Sequence, residues 1–157
     1  MKNKLNLSIK FLLLVVTIPL FSCNNNDDDR ASNGSSYKIT ITLNDVNVND
    51  DYVSVTAVGN NQSGVINYPL WKINGADQPN IQTISLIDTD FSGTTKTYIV
   101  ETVNPIGIFT SGFQIINYGQ PLTGSLKIER NGKTMVNETI NLVGDNTDFT
   151  NDYSFNN

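Results

Sequence analysis

Residues 37–43 alternate strictly. Ile39, Ile41 and Leu43 fall on one side, and Lys38, Thr40 and Thr42 fall on the other. A period of two belongs to a half-buried β-strand. Val53, Val55 and Ala57 repeat the pattern. Residues 65–74, 81–87 and 95–103 predict a third, fourth and fifth strand, each rich in β-branched and aromatic side chains. Pro69 cannot donate to a ladder, which puts the third run at an edge or a bulge. Phe113, Ile115 and Asn117 alternate in a sixth run, after a Gly-broken stretch over residues 104–112.

The sharpest local signal is Asn131-Gly132 between two apolar-polar runs. Both central residues of a type I′ turn need positive φ, and Asn-Gly supplies it. The turn would pair Arg130 with Lys133, Glu129 with Thr134 and Ile128 with Met135, the last as a core pair. Val136, Ile140 and Leu142 have the opposite parity from Met135. Either both faces are covered, or a bulge near Asn137 shifts the phase.

No segment has a helical period. About eight short strands with polar turns predict two antiparallel sheets packed face to face, an all-β sandwich that is immunoglobulin-like in the broad sense. The Cys-Trp-Cys hallmark is absent, so a C2-like or transthyretin-like sandwich is the alternative.

The first residues have a different pattern. Lys2, Lys4 and Lys10 precede an uncharged apolar run over residues 11–20. This is the build of a secretory signal peptide. It is too short to span a hydrocarbon core, which takes ~20 apolar residues. Pro19 breaks the helix near the expected cleavage point. The run ends in Leu20-Phe21-Ser22-Cys23, which resembles the lipobox of bacterial lipoproteins, although Phe21 departs from the small residue usual there. The resemblance implies cleavage after residue 22 and lipidation of Cys23, with acyl chains that give stable anchoring.

Residues 24–36 hold no large apolar side chain and predict a flexible tether. Asn24 after the cysteine resembles lipoproteins that leave the inner membrane. Asp27-Asp28-Asp29 resembles the export signal of surface-displayed lipoproteins in some Gram-negative groups. Together these imply the outer membrane, with the surface favoured over the periplasmic face. The expected divisions are signal peptide 1–22, lipidated tether 23–36 and one domain over 37–157.

Composition narrows the chemistry. The 157-residue chain carries a net charge of −5, and three of its ten basic residues lie in the leader. The remainder is more acidic still, which speaks against nucleic acid as a partner. There is no His and a single Cys. Ser-His-Asp and Cys-His catalysis, His-bearing zinc sites and disulfides are thereby excluded.

Calcium is the one cofactor the sequence suggests. Asp88, Asp90 and Ser92, followed by Gly93, have the spacing of the first half of an EF-hand loop. Ile99 stands where its last glutamate would be, the flanks are strands rather than helices, and a hairpin loop of turn formers is the better account of the segment. Asp50 and Asp51 in one acidic loop, and Asp145 and Asp148 in another, would join if the loops gathered at one end.

Among the aromatics Tyr68, Trp71, Phe109, Tyr118 and Tyr153, an exposed platform would suit a sugar ring, with Trp71, Phe109 and Tyr118 as candidate contacts. Core burial is the competing account. The apolar residues at 104–110 predict either a contact patch or a segment folded under the sheet. Glu101, Glu129 and Glu138 offer a glycosidase-like pair in principle, but each alternates with apolar neighbours as an outward strand position does.

The expectation is a non-catalytic, lipid-anchored binding or envelope-assembly module with a protein or glycan partner. The alternatives are a Ca²⁺-dependent binding domain and, further off, a carboxylate-based hydrolase.

Overall fold

The computed structural model describes residues 34–60 and 70–156. The signal segment, Cys23, most of the tether, Tyr68 and Pro69 lie outside the described residues.

Alternation becomes structure where it was cleanest. Strand β1, Tyr37–Asn44, buries every second side chain, Tyr37, Ile39, Ile41 and Leu43. Strand β2, Asp51–Asn60, buries Asp51, Val53, Val55 and Ala57. The further strands are β3 Trp71–Ile73, β4 Ala76–Asp77, β5 Thr83–Ile87, β6 Thr97–Thr102, β7 Ile108–Asn117, β8 Leu122–Arg130, β9 Lys133–Leu142 and β10 Thr147–Asn156. They form two antiparallel sheets, β4-β3-β6-β1-β8-β9 and β10-β7-β2-β5, whose inner faces close over one apolar core. This is the expected all-β sandwich, with ten strands among the described residues rather than about eight. The third run contributes only β3 among its described residues. Asn74 and Gly75, both at positive φ, turn it back into β4.

The segment 88–93 is not a hairpin loop. It forms a five-residue helix, α1, Asp88–Ser92, which carries the chain from β5 in one sheet to β6 in the other. Phe91 explains the crossing: it is fully buried and meets Tyr98 edge-on at 5.0 Å between ring centres. The apolar segment at 104–110 also folds inward. Ile106 is buried, and β7 begins early enough to put Phe109 in the core.

The Asn131-Gly132 turn forms as predicted, with φ of 50° and 75°. Arg130 pairs with Lys133 and Glu129 with Thr134. Ile128, however, pairs with Val136, so Met135 is the extra residue of a bulge and stands exposed. The expected Ile128–Met135 core pair is therefore corrected. The phase shift lies two residues before Asn137, and it returns Ile140 and Leu142 to the buried face.

The sandwich has two distinct poles. At one, Ser35 pairs with Ile106 in an isolated bridge as the chain enters β1, and the β8–β9 turn lies beside it, where the Asn131 amide accepts from Ser36 N. At the other, the β1–β2, β7–β8 and β9–β10 connections come together, with the β5–β6 connection and its helix α1 at the same end. The two are called here the entry pole and the loop pole.

Candidate functional site

The loop pole is assembled from backbone contacts between the connections. Tyr118 N donates to the Asp50 carbonyl at 3.1 Å, which joins the β1–β2 and β7–β8 connections. Gly119 packs against the Asp50 side chain, where a Cβ would meet Asp50 Cβ at 2.9 Å. The Gly119 carbonyl faces Gly144, so closely that any side chain there would collide with it. Gly144, Asp145 and Asn146 have successive φ of 91°, 59° and 65°. Only Gly, Asp and Asn enter that region readily, so Asp145 owes its place to conformation as much as to charge.

Beneath these loops, three inner-face residues stand in register across neighbouring strands. Asp51 on β2 opposes Asn117 on β7, and Asn117 opposes Thr147 on β10. Opposed residues on adjacent strands share a face, with Cβ atoms ~4.5–5.5 Å apart. Each position continues an apolar phase, namely Val53-Val55, Phe113-Ile115 and Phe149. Yet each carries oxygen, and each has a buried oxygen without a hydrogen-bond partner: Asp51 Oδ1, Asn117 Oδ1 and Thr147 Oγ1. Asn117 is completely buried and Asp51 is 7% exposed. The other ends of two of these side chains are fixed. Asp51 Oδ2 accepts from Asn47 N at 2.8 Å, and Asn117 Nδ2 donates to the Gln120 carbonyl at 2.6 Å. The free oxygens are therefore held in place rather than free to turn away.

The sequence-derived candidates divide. Asp50 and Asp51 reach this pole, and Asp145 and Asp148 flank it. The Asp50 carboxylate accepts from Asn47 Nδ2, and the Asp148 carboxylate accepts from Thr150 Oγ1 on the outer face. Asp88, Asp90 and Ser92 lie at the same end, on α1, but their side chains turn to local bonds. Asp90 accepts from Ile87 N at 2.8 Å, Asp88 from Thr89 N, and the Ser92 hydroxyl donates to the Thr89 carbonyl, all of which serve the short helix itself. The EF-hand-like spacing is thus a helix-start pattern. Among the described residues no three acidic, His or Cys side chains converge on one point.

Trp71 and Phe109 are fully buried and cannot serve as ligand contacts. Phe109 stacks on Tyr37 at 4.4 Å, and the Trp71 indole N–H donates to the Gln82 carbonyl. Tyr153 packs edge-on against Phe113. Tyr118 alone of the three contact candidates is open, 57% exposed on the loop pole. Val48 and Val143, exposed on the other two connections, complete a partly apolar rim. Asn117 and Thr147 were not singled out from sequence. Their signal was there: a polar residue standing in the apolar phase at the end of a strand.

A second hollow of about 270 Å³ lies on the outer face of the four-stranded sheet, around Gly112. A Cβ at Gly112 would meet Asp152 Oδ1 at 2.8 Å. Ser54, Thr56, Gln114 and Thr150 supply the rest of its polar floor.

The fold defined here is an antiparallel β-sandwich closed at one pole by three connections. No protein-family model matches the chain, and no curated protein matches it. Solved structures do share the fold. A DUF4425 family protein from Bacteroides ovatus aligns at TM-score 0.53 and 13% identity, over 78% of this chain and 94% of that one. A domain of unknown function, DUF4425, from Bacteroides vulgatus aligns at 0.56 and 14%, over 80% and 98%. A protein from Parabacteroides distasonis, solved by NMR in a calcium-bound form, aligns at 0.57 and 16%, over 76% and 92%.

Proposed function

We propose that this chain is a lipid-anchored, non-catalytic binding module of the outer membrane that offers its loop pole to a protein or glycan partner. The observation that carries this reading is the polarity of the sandwich. The chain enters beside Ser35 and Ile106 at one pole, while Val48, Tyr118 and Val143 stand exposed at the other. An anchor on Cys23 leaves the loop pole the end free to meet a partner. The absence of His from the sequence and the outward strand positions of Glu101 and Glu129 favour binding over catalysis; Glu138, expected outward, instead shares the inner-face register with Ile140, opposite Leu126, and is exposed at the sheet edge.

The test has two arms. Alkyne-palmitate labelling should mark the protein in cells and be lost in Cys23→Ala. A photocrosslinking residue at 118 should capture a discrete partner or glycan on intact cells, while one at 135, on the β9 bulge, should not. Equal capture from both positions would remove the loop pole from the account.

A second reading adds Ca²⁺ to the same pole. It is favoured by the three buried oxygens and by the calcium-bound form described for the Parabacteroides distasonis protein. One carboxylate, one amide oxygen and one hydroxyl form a hard, all-oxygen donor set that fits Ca²⁺. The ion would neutralise Asp51 and draw the oxygens together.

A further inference from the structure

We propose that Asp51 Oδ1, Asn117 Oδ1 and Thr147 Oγ1, joined by the Gly119 carbonyl, are the protein ligands of a Ca²⁺ ion that seals the mouth of the core and ties the three connections of the loop pole together. The proposal rests on the calcium reading above and gives it a location and a consequence.

The argument begins with proton bookkeeping. Asp51 Oδ1 and Asn117 Oδ1 are acceptors only, and the Asn117 amide nitrogen is directed to the Gln120 carbonyl rather than to Asp51 Oδ1. They cannot satisfy each other, and Thr147 has one proton for the two of them. A buried acceptor left unmet is costly, and a buried carboxylate oxygen more so. The row thus calls for a cation or a donor from outside.

Charge narrows the choice. The ion pairs Lys72–Asp77 and Lys127–Glu129 belong to the six-stranded sheet, whereas Asp51 sits in the other. Asp50 lies one residue away and adds to the negative potential.

Geometry completes the case. The Asn117 amide oxygen would stand 3.4 Å from a Cβ on Gly144, the residue that the Gly119 carbonyl also faces. The central oxygen of the row and the loop carbonyl therefore both border Gly144. Donors that are mostly neutral and drawn from strands and a loop suit the adaptable shell of Ca²⁺ better than the rigid octahedron of Mg²⁺. A single buried carboxylate predicts weak binding, with Kd on the order of 10⁻⁴–10⁻³ M, as in extracellular calcium modules.

The test is thermal unfolding of the full chain, purified in detergent, in millimolar Ca²⁺ and in chelator, followed by calcium titration calorimetry. Two near-isosteric variants each remove one ligand while keeping shape: Asp51→Asn, whose oxygen stays on the Asn47 N–H so that an amide N–H replaces Oδ1, and Thr147→Val; Asp77→Asn, on β4 toward the entry pole, is the control. Wild type and Asp77→Asn should gain on the order of 5 °C from Ca²⁺. Asp51→Asn and Thr147→Val should lose most of that gain and bind Ca²⁺ at least about tenfold more weakly, a loss of ~1.4 kcal/mol. In chelator they should unfold no lower than wild type, since each removes an unmet buried group. Amide exchange at residues 118–120 and 143–146 should slow with Ca²⁺ in wild type and the control, but not in Asp51→Asn or Thr147→Val. If wild type neither binds Ca²⁺ nor shifts, the calcium reading falls and this site with it. If wild type and both variants respond equally, Ca²⁺ binds elsewhere, and only the site assigned here is overturned.

Discussion

Phe91 shows how much one side chain can decide. The sequence around it, Asp88-Thr89-Asp90-Phe91-Ser92-Gly93, reads as polar turn residues with one aromatic. In the folded chain that aromatic drives into the core and turns the segment into a helix between the sheets. Phe91→Ala should cost about 3–5 kcal/mol, the range for deleting a fully buried aromatic, as measured by urea unfolding. Met135, by contrast, is exposed on the bulge, and Met135→Thr should stay within about 0.5 kcal/mol of wild type. Glu129 gives a test by titration. Its hydrogen bond from Lys127 at 2.8 Å, and the nearby Lys38, hold its carboxyl below the usual glutamate range. A carboxyl lowered on folding contributes stability above its unfolded pKa and loses it as pH falls through the folded value. NMR titration should place the Glu129 midpoint below that of a model glutamate, and Lys127→Met should raise it.

At the scale of elements, legibility followed the strength of the local period. Strands β1 and β2 and the Asn131-Gly132 turn were plain because alternation and turn chemistry are local. The bulge was half visible: the parity of Ile140 and Leu142 demanded a phase shift, but only the pairing of Ile128 with Val136 fixes where it falls. The candidate site was legible by halves for a related reason. Acidic residues in loops draw attention, whereas Asn117 and Thr147 become notable only once β2, β7 and β10 lie side by side. One feature of the six-stranded sheet was beyond sequence altogether. Asp77, Lys72, Glu101, Lys38 and Glu129 stand in consecutive register across β4, β3, β6, β1 and β8, alternating in sign. Cross-strand pairs of opposite charge contribute roughly 0.2–1 kcal/mol each, and like charges directly opposite destabilise. Lys38→Glu would set three acids in a row and should lower stability by about 1–2 kcal/mol, measurable as a drop in the urea midpoint.

For the whole molecule, the same alternation that predicted two sheets also placed their centres. β1 is flanked by β6 and β8, and β7 by β2 and β10. Native-state amide exchange should be slowest in these two strands and fastest in β4 and the free edges of β9 and β5. The long-range order was less legible than the strands. Seven of the nine connections between the described strands, all but β3–β4 and β8–β9, pass from one sheet to the other, and nothing in a single chain announces which strands will be neighbours.

The position of β1 has a mechanical consequence. Any pull on the chain ahead of the domain first meets the Ser35–Ile106 bridge and then acts along β1. That strand is bonded on both sides, to β6 over residues 38–42 and to β8 over residues 37–44. Its hydrogen bonds lie perpendicular to the strand, so an axial load shears them together instead of peeling them one by one. An anchored domain of this design would hold its shape under flow or tugging, with the strain borne by its most interior strand and the loop pole left undistorted.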